Sequence, residues 1–230
     1  MSTLPVALAR AATTPRSETR PVVVKVAKPR GTLYWGGAGL DGPYIPGTLN
    51  ALREAGIDHV HVGLTNTASR LVKPTVGTLI DAIRAGLLIR YEDNDDWIIS
   101  SGMDRMSPQF NLLGYSYGSL LAAQTANSYA RQGHVVDHLI LIGSPIDAGF
   151  LARLRQHANI RKVIVIDLTS VGDPIYAGMT QAELLACVPE LARTMQARKG
   201  EGHFFYGHVV PDSPTRWASL ARMIHAAGVR

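Results

Sequence analysis

The chain is predicted to fold as an α/β protein, a mostly parallel sheet with helices on both faces. Segments of strand and helix character alternate from residue 30 onward. The inner strand segments, such as Leu139-Ile140-Leu141-Ile142 and Val163-Ile164-Val165-Ile166, are apolar throughout. A strand with one wet face would alternate, so these are expected to be covered on both sides. The third observation is an apolar run, Phe110-Asn111-Leu112-Leu113, that enters Gly114-Tyr115-Ser116-Tyr117-Gly118 and continues at once as a run of Leu, Ala and Gln. That is the strand–turn–helix setting in which a serine is lifted on a tight turn, an elbow, above a sheet.

Taken in order, residues 1–21 are rich in Ala, Thr, Pro and Arg and read as a flexible basic leader; residues 22–230 are expected to form one domain. An organellar address is the alternative reading of the leader, and a disordered tail is preferred. Residues 21–26 are a β-branched run and the expected first strand, and residues 32–35 a second, ending in Gly36-Gly37-Ala38-Gly39. Residues 46–55 are expected as a helix, with Pro46 near its start and Gly56 just past its end. Residues 59–64 alternate as a strand, and residues 76–88 recur with helical spacing. The acidic stretch 91–97 reads as a solvated loop; it lacks the ligand spacing of an EF-hand, so no metal is expected there. Beyond the elbow, a helix is expected over 118–131, strands over 136–142 and 162–168, and helices over 150–157, 181–198 and 214–227. No internal repeat is present.

The formal net charge is +5. Arg10, Arg16, Arg20, Lys25, Lys28 and Arg30 face only Glu18 in the first thirty residues, so that stretch accounts for the whole excess. The neutral remainder does not support a nucleic-acid partner. Cys187 is the single cysteine, which excludes an intramolecular disulfide; it is expected to be a small buried hydrophobe. No apolar run approaches the roughly 20 residues of a membrane span. Residues 4–8 are too short for a signal sequence and Arg10 follows them, so the cytoplasm is the default location, with non-classical secretion open.

A serine hydroxyl is a weak nucleophile at neutral pH and needs a base within reach, itself oriented by an acid. In hydrolases of this strand–helix order, the acid and then the histidine come from loops after the serine. Asp173 follows the strand near Leu168, and His203 lies in Gly202-His203-Phe204-Phe205-Tyr206, ahead of the last helix. Asp147 and Asp167 are weaker candidates for the acid. His208 is the alternative base; His203 is favoured because its aromatic neighbours would wall the imidazole from water. The tetrahedral oxyanion would need donors. Tyr117, next to the serine, supplies one amide, and the loop after residue 35 the other, with Ala38 the chosen donor and Gly37 lining the same site. A phosphate-binding loop there is disfavoured, because Gly36-Gly37-Ala38-Gly39 lacks G-x-G-x-x-G spacing.

These three motifs, Gly36-Gly37-Ala38-Gly39, Gly114-Tyr115-Ser116-Tyr117-Gly118 and His203-Phe204-Phe205-Tyr206-Gly207, resemble the α/β-hydrolase superfamily of serine esterases, lipases and thioesterases over about residues 30–228. More narrowly, residues 111–123 with Leu139-Ile140-Leu141-Ile142-Gly143-Ser144-Pro145-Ile146 look like bacterial lipase-like proteins, including secreted phospholipase effectors. The resemblance implies a three-layer α/β-hydrolase fold and a Ser116–His203–Asp173 triad acting on a carboxylic ester. No cofactor or metal is implied. Gly36-Gly37 stands where many members carry His-Gly, which leaves the second donor open. Leu40, Tyr44, Ile45, Phe204, Phe205 and Ile175 would favour an apolar or lipidic acyl group unless they are core. The alternatives are a thioesterase or acyltransferase on the same residues, or a non-catalytic binding protein. The last would follow if Asp173 and both histidines lay more than roughly 8 Å from Ser116.

Overall fold

Among the described residues, five short strands run parallel in the order β2-β1-β5-β6-β7. They are β1 (Gly31–Trp35), β2 (Val60–Val62), β5 (Phe110–Tyr115), β6 (His138–Ile142) and β7 (Val163–Ile166). In this computed structural model residues 29–38, 42–65, 74–91, 97–98 and 106–230 are described. The expected leader 1–21, the strand expected at 21–26, Gly39, Leu40 and residues 92–96 of the acidic stretch lie outside them. Successive strand residues point to opposite faces. Leu33, Trp35, Phe110, Leu112, Leu139 and Leu141 pack into one core, against α3 (Tyr117–Arg131) and α4 (Ala148–Gln156). Tyr34, Leu113, Tyr115, Ile140 and Ile142 pack into a second, against α1 (Ile45–Glu54) and α7 (Ser213–Ala226). The sheet is therefore the middle of three layers. The predicted three-layer arrangement, a parallel sheet with helices on both faces, is the arrangement observed.

α1 and α7 lie so close that a Cβ on Gly47 would come within 2.1 Å of the Trp217 ring. α3 is buried from Tyr117 to Ala130 apart from Asn127, which explains why its outer face offers so few charged residues. At the amino ends of the strands, Thr32, Asn111 and His138 stand side by side in register. Asn111 Nδ2 donates to Thr32 Oγ1 (3.0 Å), and its Oδ1 lies 2.8 Å from His138 Nδ1, so these buried polar groups satisfy one another.

Four expected elements differ in detail. The helix expected over 181–198 is two helices, α5 (Gln181–Ala186) and α6 (Val188–Ala197), meeting at Cys187. Pro189 lacks the N–H that would continue the first helix, and its ring blocks the carbonyl four residues back. The strand expected over 59–64 ends at Val62. Gly63 then passes the Trp35 ring, where a Cβ would come within 2.0 Å, and β3 (Leu64–Thr65) pairs antiparallel with β4 (Trp97–Ile98). The helix expected over 76–88 starts earlier, as α2 (Pro74–Arg84), and its last turn widens into a π-helical turn over Ala85–Ile89. Finally, β7 is only half-buried, because among the described residues it is the last strand of the sheet, with a single neighbour. No helix among the described residues is long and apolar enough to cross a membrane.

Candidate active site

The order β2-β1-β5 means that the chain leaves β1 in one direction for β2 and returns on its other side as β5. Such a reversal opens a crevice at the carboxyl ends of the two central strands, where ligands bind in open α/β sheets. Both glycine motifs fall at that crevice.

Ser116 links β5 to α3 at φ 54° and ψ −123°, a conformation that side chains rarely adopt. The flanking glycines are required by contact. A Cβ on Gly114 would lie 2.1 Å from Gly118 O, and one on Gly118 would lie 2.2 Å from Gly36 O and 2.5 Å from Trp35 O. The turn is tied down by Ser116 N–H, which donates to Ile142 O at 2.8 Å. The Ser119 hydroxyl bonds Ser116 O and lies 2.7 Å from Ser144 Oγ, joining the elbow to the loop after β6.

His203 sits in a 3₁₀ turn, Gly202–Phe204, and its Nε2 lies 2.7 Å from Ser116 Oγ. Its Nδ1 lies 2.8 Å from Asp173 Oδ2. After β7 the chain makes a 3₁₀ turn, Thr169–Val171, and Gly172 (φ 85°) reverses it so that Asp173 points back over the sheet. Asp173 Oδ1 accepts from Ile175 N–H at 2.8 Å. Both residues are buried, at 5% and 4% exposure, so the interaction is little screened by water. The Tyr115 ring stacks on the imidazole at 5.8 Å between centroids, and Phe204 meets it edge-on at 5.5 Å.

The other acids are engaged elsewhere. Asp147 caps α4, accepting from Gly149 N–H (2.8 Å) and Phe150 N–H (3.1 Å). Asp167 lies just past β7 and accepts from Ala177 N–H at 2.9 Å. His208 stacks on Phe204 with ring centroids 4.7 Å apart, and burial lowers its pKa.

Gly37 passes directly over the serine: a Cβ there would be 3.6 Å from Ser116 Cβ. Its amide is already committed, donating to Tyr44 Oη at 2.6 Å, so Gly37 contributes closeness rather than a donor. Ala38 follows it, half-buried. Tyr117 is the first residue of α3, where N–H groups face out past the helix start and the helix dipole is positive. Tyr44 and Ile45 belong to the core on the α1 face, and Ile175 to a small cluster with Met179, Leu184 and Cys187. They are not free to form a substrate wall. Cys187 is buried, and burial pushes its thiol pKa up. Among the described residues, no group of three or more His, Cys, Asp or Glu could hold a metal ion.

Two contacts of this site escape sequence reasoning, Tyr44 on Gly37 and the Tyr115 hydroxyl on His203 O. Only the strand alternation that puts Tyr115 on the α1–α7 face hints at either.

Comparisons with curated proteins and with solved structures each return no match. Residues 102–202 match the family model described as Thioesterase domain, a stretch that contains Ser116 and Asp173 and stops one residue short of His203. Sheet and match together support the α/β-hydrolase superfamily and, within it, a hydrolase of ester or thioester bonds.

Proposed function

We propose that the chain is a serine hydrolase that cleaves a carboxylic ester through an acyl-enzyme. The single observation that carries the reading is the hydrogen-bonded line Ser116 Oγ, His203 Nε2, His203 Nδ1, Asp173 Oδ2, with steps of 2.7 and 2.8 Å, at the crevice between β1 and β5. These distances lie within the reach that proton transfer needs and count against the non-catalytic alternative.

In this reading Ser116 Oγ attacks the acyl carbon while His203 Nε2 takes its proton. Asp173 holds the other ring nitrogen and stabilises the imidazolium. Amides of Tyr117 and Ala38 bind the oxyanion, helped by the α3 dipole. His203 then protonates the departing alcohol, which leaves an ester between Ser116 and the acyl group. A water, deprotonated by His203, attacks that ester; the intermediate collapses to the free acid and Ser116 recovers its proton. The substrate class is a small-molecule or lipid ester, and no cofactor takes part in these steps.

A second reading, a thioester substrate on the same residues, is compatible with the family match. The chemistry differs only in the leaving group, because a thiolate departs without needing the proton from His203. The test is hydrolysis by purified protein of oxygen esters and acyl-thioesters graded by chain length, wild type beside Ser116→Ala. Turnover of either class should fall by about 10⁶ in kcat in the variant. Equal turnover by both proteins would remove Ser116 from the chemistry.

A further inference from the structure

We infer that Tyr44 and Tyr115 form one positioning pair, each hydroxyl fixing the main chain of one of the two loops that face Ser116. The inference rests on the hydrolase reading, and it concerns how those loops are held rather than which residues react. Gly36 and Gly37 have no side chains with which to anchor their loop. What holds it is the Tyr44 hydroxyl, which accepts Gly37 N–H at 2.6 Å in a buried setting. Gly36 leaves room for that oxygen, since a Cβ there would come within 2.7 Å of it.

Across the site the Tyr115 hydroxyl donates to the main-chain oxygen of His203. A Cβ on Gly207 would lie 3.0 Å from the same hydroxyl, so a second glycine makes room for a second tyrosine. Burial raises the Tyr115 pKa well above its ordinary value, so the phenol keeps the proton it donates. The two rings meet edge-on, 5.8 Å between centroids at 85°, and the Tyr115 ring also stacks on the His203 imidazole. Both tyrosines are buried, at 6% and 3% exposure. In a close-packed interior a shift of one ring displaces the other. The loop carrying the Gly37–Ala38 segment and the loop carrying the imidazole are thereby set from one rigid unit. A misplacement of even about 1 Å in such groups costs on the order of 10²-fold in rate.

The test is steady-state kinetics and the rate of Ser116 labelling by a fluorophosphonate, on wild type, Tyr44→Phe, Tyr115→Phe and the double variant. Phenylalanine keeps both rings and removes only the hydroxyls. Each single variant is expected to lose about tenfold in kcat and in labelling rate, with KM within about twofold. The double variant should lose about tenfold too, because the two act through one unit. Gly36→Ala, which displaces the Tyr44 hydroxyl while both tyrosines remain, should reproduce the Tyr44→Phe loss. Single variants within about twofold of wild type, or a double loss of about a hundredfold, would overturn the pairing. A lowered urea midpoint with an unchanged labelling rate per folded molecule would also overturn it, leaving the tyrosines merely structural. Wild-type protein that is not labelled at Ser116 would instead overturn the hydrolase reading itself.

Discussion

Asparagine at position 173 keeps the volume of the aspartate and removes its charge, and the surrounding hydrogen bonds dictate how the amide must sit. Oδ1 accepts from Ile175 N–H at 2.8 Å, a buried donor that would be left unsatisfied if the NH₂ faced it. The amide oxygen therefore stays on Ile175, and the NH₂ turns toward His203 Nδ1, which Oδ2 now meets at 2.8 Å. A donor facing Nδ1 selects the tautomer with its proton on Nε2. That nitrogen lies 2.7 Å from Ser116 Oγ and can no longer accept the serine proton. A wrong imidazole tautomer costs about 10⁴ in kcat, or about 5.5 kcal/mol of barrier. Because the site is buried and the substitution neutral and isosteric, the melting temperature should change by only a few degrees. The assay compares kcat for Asp173→Asn and wild type on whichever ester or thioester is turned over, with fluorophosphonate labelling as a substrate-independent rate. A loss below tenfold in a folded variant would refute the assignment of Asp173 as the group that orients His203.

Three further outcomes are expected. Ser116→Gly, inactive, should melt higher than wild type by roughly 2–4 °C, because relief of φ 54° is worth about 1 kcal/mol net of glycine's extra chain entropy; a lower melting point would contradict stored strain. Gly118→Ala drives a Cβ to 2.2 Å from Gly36 O and 2.5 Å from Trp35 O, neither of which can rotate away, and should destabilise by more than about 3 kcal/mol in urea unfolding. An unchanged urea midpoint would show that β1 yields to the extra methyl. His138 is buried, and burial lowers its pKa, with Lys162, Arg230 and Arg161 adding to the effect and Asp137 opposing it. Between the lowered folded value and the unfolded value of about 6.5, the unfolded chain binds more protons, so stability is full above pH 6.5 and falls as pH drops. Urea midpoints from pH 8 to 5 should fall less steeply in His138→Gln, and equal slopes would exclude His138 as a contributor.

The layered fold is legible because its signals are local and redundant. Leu139 to Ile142 is apolar throughout and β6 is covered on both faces, whereas the equally apolar β7, at the sheet edge, is half-buried. The elbow is legible because Gly114 and Gly118 answer a steric demand that no other residue meets. The acid is harder to single out, since Asp147 and Asp173 both follow expected strands and Asp167 lies inside the one expected over 162–168. What separates them is backbone geometry beyond the reach of spacing. Asp147 is drawn to the open amides of α4, while Gly172, at φ 85°, turns Asp173 back toward His203. The break at Cys187 has a readable cause in Pro189, which a reading by helical spacing alone passes over. Tyr44 left no trace of its contact with Gly37. A buried tyrosine on an amphipathic helix start reads as core, and its hydroxyl finds the loop only once α1 packs against β1 and β5.

The most direct measurement is the intact mass of the protein after treatment with a fluorophosphonate, wild type beside Ser116→Ala and His203→Ala. If Ser116 is the nucleophile and His203 its base, wild type gains one phosphonyl group on the peptide containing Ser116. Ser116→Ala then gains none, and His203→Ala is labelled slower by a factor of at least about 10². Wild type that stays at its unmodified mass, or Ser116→Ala that is labelled as fast as wild type, would contradict a serine hydrolase built on Ser116.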